Sequence, residues 1–175
     1  MNNQKTEKKK LNNKEKMIKT AKVCEVITKV LYVLSCVGAV VCTVLAIVFP
    51  LTNTIPSLKP AEVALIFGGA AVYCFMAINV LWNASQIFRN IYIYETPFNE
   101  KVVHYLKKTA IAIILISIIP SLIGSILVHY LAGDESIVKF DFQFVGVIIG
   151  ILTLLLGFVF NYGVELQKKE DETLW

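Results

Sequence analysis

The side chains that could do chemistry are few and unevenly placed along the chain. Asn79, Asn83, Gln86 and Asn90 follow one another at i, i+4, i+7 and i+11, which puts four amides on one face of a helix. Arg89 stands beside that stripe, and Asn161 and Glu165 form a second i, i+4 pair late in the chain. Amides in an apolar setting either hydrogen-bond between helices or line a polar cavity. Both readings are open here: interhelical hydrogen bonds with an Arg89–Glu165 ion pair, or a small cavity open to the cytoplasm.

The remaining reactive residues do not combine. His104 and His129 are 25 residues apart, close to 40 Å along a helix at about 1.5 Å per residue, so one haem or metal cannot take both. Cys24, Cys36, Cys42 and Cys74 include no Cys-x-x-Cys pair and read as small apolar residues. His129, Asp134, Glu135 and Asp141 lack the regular ligand spacing of a calcium loop. No Ser/His/Asp or Cys/His arrangement and no phosphate-binding glycine loop is present. The expectation is a non-enzyme that carries no cofactor and no metal.

The elements that position these residues are apolar and long. The chain of 175 residues is 56% apolar and 17% charged, whereas soluble domains carry about a quarter charged residues. Four tracts, about 30–49, 62–82, 109–131 and 142–162, reach the roughly 20 residues a helix needs to cross a bilayer. In lipid the backbone must satisfy its own hydrogen bonds, so each tract is read as a helix. The fold expected is all-α, a four-transmembrane-helix bundle over 23–175 behind a basic, flexible tail, 1–22. Glu62, His129 and Asp141 fall near one boundary of the spans and Glu165 near the other. Without an ionisable residue at a span centre, a proton-coupled pump is disfavoured.

Orientation follows from the basic residues in the connections. The N-terminal tail holds nine of the 17 Lys and Arg, the middle connection four (Arg89, Lys101, Lys107, Lys108) and the C-terminal tail two (Lys168, Lys169). The other two connections hold one each, Lys59 and Lys139. Both termini and the middle connection are therefore expected inside. No small-x-small cleavage site follows the first tract before Pro50, so it reads as a span and not a cleaved signal. The lysine-rich tail suits anionic lipid headgroups. It has no arginine and no aromatic residue, so nucleic acid is not an expected partner.

The middle connection is the most structured piece outside the spans. Asn83 to Tyr94 can prolong the second helix, and Thr96-Pro97-Phe98 breaks it. Asn99 can cap a new helix with Glu100 in its first turn. Val102, Val103 and Leu106 give that helix an apolar side, so an amphipathic elbow helix is expected between the second and third spans. Within the spans, Gly146 and Gly150 form a GxxxG, and Ser117, Ser121, Ser125 and Ser35, Ala39, Thr43 repeat small residues every fourth position. Such spacing permits close helix packing, within the chain or in a homo-oligomer. Pro120 is expected to kink the third helix.

Two stretches carry a family resemblance. Glu95-Thr96-Pro97-Phe98-Asn99-Glu100-Lys101-Val102 is the first. The second is the ending Tyr162-Gly163-Val164-Glu165-Leu166-Gln167 with Glu170-Asp171-Glu172-Thr173-Leu174. Together they resemble the four-helix membrane family called domain of unknown function 2975, over most of the chain from about Val30 to Leu174. Thr96 departs from the pattern, since members more often place glycine or aspartate before the Pro-Phe pair. The resemblance implies four spans in a bacterial inner membrane and genes beside a small helix-turn-helix regulator, and it brings no catalytic residue. Pro97, Phe98, Glu170, Asp171 and Glu172 would then be cytoplasmic contact features for a protein partner. The function expected is a regulatory or accessory subunit working through that partner. The alternatives are a small oligomeric transporter or channel with a path through Asn79, Asn83 and Asn161, or an immunity or stress-protection protein.

Overall fold

The computed structural model describes residues 2–52, 59–132 and 143–173. They form four α-helices: α1 (Asn2–Thr52), α2 (Pro60–Tyr94), α3 (Glu100–Leu127) and α4 (Phe144–Thr173), with one π-helical turn, Val128–Ala132, closing α3. Each helix contains a stretch long and apolar enough to cross a membrane, so the all-helical, four-span reading of the sequence is the observed one. The acidic group Asp134, Glu135 and Asp141, with Lys139, lies outside the described residues.

Every helix overshoots its span. At 51, 35, 28 and 30 residues they exceed the roughly 20 that a hydrocarbon core requires. The surplus gathers at the end of the molecule that holds both chain termini and the α2–α3 turn, here the terminal end. The tail expected to be flexible has helical backbone from Asn2, continuous with the first span. Residues 2–22 contain no proline or glycine and hold eight lysines, a good helix former.

The separate elbow helix is not observed. Residues 100–108 are the first turns of α3 itself, which runs without interruption to Leu127. The elbow reading rested on the apolar side Val102, Val103 and Leu106 opposite Lys101, Lys107 and Lys108, but an amphipathic pattern that gives way to an apolar one does not break backbone. No proline or glycine lies between Glu100 and Ile119, so nothing ends the helix there. What does break the chain is the preceding turn. Glu95 adopts a left-handed conformation (φ 53°, ψ 19°), and the Thr96 hydroxyl accepts from the Phe98 N–H at 3.2 Å. Asn99 then caps α3, its carbonyl accepting from the Lys101 N–H at 2.8 Å. At the other end α2 starts on Pro60, with the Glu62 carboxylate accepting from the Lys59 N–H at 3.0 Å.

The helices pack in chain order: α1 on α2, α2 on α3, α3 on α4, and among the described residues no backbone approach joins α1 to α3 or α4, or α2 to α4. They form an open row. Large apolar side chains such as Val40, Ile47, Leu152 and Val159 therefore stay exposed within the protein. That is stable in lipid, whose tails are as apolar as leucine.

Candidate functional site

The two halves of the expected polar cluster lie on helices whose backbones do not approach one another among the described residues. On α2, Asn83 donates its amide to the Asn79 carbonyl at 2.9 Å, and Asn90 to the Gln86 carbonyl at 2.7 Å. On α4, Asn161 donates to the Glu165 carboxylate at 3.0 Å. Each half is thus linked along its own helix. Arg89 is exposed and has no ion-pair partner among the described residues.

The α2 half takes part in a different site. A groove between α2 and α3, about 560 Å³ in volume, is lined by Met76, Asn79, Trp82, Asn83, Tyr105, Lys108, Ile111, Ala112 and Leu115. Its polar residues sit toward the terminal end and its apolar ones toward the middle of the spans. Asn83 is buried at the groove floor, whereas Asn79, Trp82 and Lys108 are exposed along it. Sequence reasoning missed Trp82, Tyr105 and Lys108 as its companions. The available signal was that an aromatic residue and a lysine both fall at the predicted inner boundary, where such residues mark the membrane interface.

Further along the same helix pair lies a second recess of about 290 Å³, lined by Ala61, Ala64, Leu65, Gly68, Gly69, Val72, Pro120, Ile123, Gly124 and Leu127. Pro120 is buried and α3 continues through it, but its missing N–H frees one backbone carbonyl. The walls are entirely apolar and offer no group for chemistry.

Of the contact features at the terminal end, Phe98 touches α4 while remaining 42% exposed. Phe98 stacks against Phe160 of α4 with ring centroids 5.5 Å apart, and a Cβ on Gly163 would come within 2.6 Å of the Phe98 ring. Pro97 holds the turn that aims Phe98 there. Lys168 of α4 pairs with Glu100 at the start of α3. That contact lowers the Glu100 carboxyl below its ordinary range and raises the Lys168 ammonium above its own, the hydrogen bond between them being the main cause. Lys101 is likewise raised by its bond to the Tyr94 hydroxyl, 2.7 Å long. Glu170 and Glu172 lie on the last turns of α4, and the side chain of Asp171 is outside those described.

Gly146 and Gly150 face α3 in the same chain. A Cβ on Gly146 would run into Ser117, and one on Gly150 would lie 2.5 Å from the Ile114 side chain. The GxxxG therefore serves internal packing. Among the described residues no group of three or more His, Cys, Asp or Glu could hold a metal. Comparison with protein families, with curated proteins and with solved structures finds no match to this chain.

Proposed function

We propose that this chain is a non-enzymatic, multi-pass protein of a bacterial cytoplasmic membrane, with both termini inside, acting as a regulatory or accessory subunit through a protein partner. The single observation that carries the reading is the helical hairpin beyond the membrane. α1 continues past its span toward the terminus and stays packed on α2 as far as Lys14, which pairs with Glu95 at 2.6 Å. Lys22 lies over the Tyr92 ring at 5.8 Å between that contact and the span. A helical stalk held in this way presents a fixed surface, and Lys16 and Lys19 project from it exposed. Their charge fits an acidic protein face.

The 15-to-2 excess of basic residues at this end supports the inside assignment. A transport path is less well supported, because among the described residues the backbone of α4, which carries Asn161, does not approach that of α2, which carries Asn79 and Asn83. Photo-crosslinking in native membranes tests the proposal. A crosslinker at Lys16 should give a discrete adduct that disappears when Lys19 and Lys22 are changed to glutamate, and one at Val40 should capture lipid alone. Adducts containing only this chain would overturn it.

A further inference from the structure

The α2–α3 groove has a polarity gradient along the membrane normal that matches one kind of molecule. On α2 the order from the span centre outward is Met76, Asn79, Trp82, Asn83; on α3 it is Leu115, Ala112, Ile111, Lys108, Tyr105. Each residue advances the position by about 1.5 Å. Apolar walls therefore give way to amide, indole, ammonium and hydroxyl groups within about two helical turns. Lipid-facing polar groups need partners. Asn79 is exposed on this side, and an amide left unpaired against hydrocarbon costs free energy. Within the described chain the Asn79 carbonyl of the backbone receives Asn83, whereas the Asn79 side chain is given no partner by its own helix. Lys108 is exposed and makes none of the ion pairs formed by the described residues. The groups gathered here are chiefly donors, and the lysine makes the site cationic.

We propose that this groove binds one anionic phospholipid from the leaflet at the terminal end. Its phosphate takes Lys108 and the Asn79 amide, with the Trp82 indole at the headgroup level, and one acyl chain runs along Met76, Ile111 and Leu115. The depth of each group fits: amphipathic rings and lysines sit at the interface, and the branched apolar residues lie below them. Lys107 provides an internal reference. It adjoins Lys108 in sequence but lies over the Phe158 ring of α4, 5.2 Å from its centroid, on the other side of α3.

The test uses the full chain purified in detergent, stripped of lipid and titrated with phosphatidylglycerol, phosphatidylcholine or glycerol phosphate. Native mass spectrometry counts retained molecules, and circular dichroism checks that each variant is folded. The expected result is one retained phosphatidylglycerol per chain, with weaker retention of phosphatidylcholine and none of glycerol phosphate. Lys108→Gln should weaken phosphatidylglycerol binding about fivefold, Asn79→Leu by a similar factor, and Lys107→Gln by less than about twofold. Equal retention of both lipids, or an equal loss from Lys107→Gln and Lys108→Gln, would overturn the proposal in favour of general surface attraction. Binding of glycerol phosphate as tight as that of the lipid would overturn it in favour of a soluble anion. A lipid-free dimer would put a second copy in the groove and overturn it as well.

Discussion

The α1–α2 and α3–α4 seams join helices of similar character with different side chains. Along α1–α2 buried Ala21 and Ala39 are joined by ring pairs, Tyr32 against Trp82 at 5.7 Å and Phe49 against Phe67 at 5.3 Å. The glycine in this seam is not crowded, since a Cβ on Gly38 would meet the Cys74 sulfur at an ordinary 3.5 Å. Along α3–α4 the backbones approach closely, and Gly146, Gly150 and Gly163 each leave room for a side chain of the partner element. In lipid there is little hydrophobic force between helices, so both seams rest on close packing: alanines and ring pairs at α1–α2, glycines at α3–α4. The first seam has room for a side chain at Gly38. The second depends on the absence of a side chain.

The largest expected effect is at the tight seam. Gly150→Leu would place branched carbons where Ile114 already lies, with the Ala110 carbonyl 3.2 Å from the first of them. Overpacking of this kind costs about 3 kcal/mol, and thermal unfolding followed by circular dichroism should show a marked fall in Tm. Gly68→Ala is the matched control. Its Cβ enters open space in the apolar recess, so Tm should hold or rise slightly. A loss at Gly68 equal to that at Gly150 would erase the distinction between crowded and open glycines.

The ring seam should respond to loss of size. A double-mutant cycle of Tyr32→Ala and Trp82→Ala should give a coupling of about 1 kcal/mol, as aromatic pairs do. Zero coupling would mean that general apolar contact holds α1 on α2 and that the rings are incidental.

Ser85 sharpens the contrast at a smaller scale. Its hydroxyl is the buried side-chain oxygen that has no hydrogen-bond partner in the described structure. Thr28, Thr43, Thr109 and Ser117, by comparison, all donate to the carbonyl four residues earlier. Removing an unsatisfied buried hydroxyl relieves a desolvation cost. Ser85→Ala should therefore leave stability within about 0.5 kcal/mol of the parent or raise it. A clear loss would reveal a hydrogen bond that forms in the membrane.

What could be read from sequence divides along the same lines as these contacts. The spans were legible because length and apolarity are local properties, and the continuation of α2 through Asn83–Tyr94 followed from the absence of a breaker before Pro97. The α2 amide face was legible for the same reason, since i, i+4 spacing alone sets it. The joining of Asn79 to Asn161 was not, because which helices become neighbours depends on the packing order of the whole chain. Gly146 and Gly150 announced a close approach without naming its partner, and only the fold assigns them to Ser117 and Ile114. Phe98 read as a contact residue because it stands in a turn, and it remains 42% exposed; that one edge of its ring lies against Gly163 of α4 followed only from the fold.

The smallest effect is expected at the Glu100–Lys168 clamp, where α4 meets the start of α3. Both groups are exposed, so the pair adds little to overall stability, and Glu100→Gln should leave Tm unchanged. Its effect is local. The Glu100 carboxyl is lowered by the Lys168 bond, so the contact is present above the ordinary carboxylate range and is lost as the pH falls through the lowered folded value. Lys168 is raised, so its contribution is complete below the ordinary lysine range and is lost only as the pH rises through its folded value. The clamp is therefore closed at neutral pH and opens toward acid. Hydrogen exchange of the last turns of α4 should speed up on acidification in the parent, after correction for the intrinsic pH dependence of exchange. In Glu100→Gln it should be faster at neutral pH and insensitive to that step. If parent and variant exchange alike across the range, α4 is held at this end by Phe98 and Gly163 alone, and the tight seam extends to the tip of the helix without help from charge.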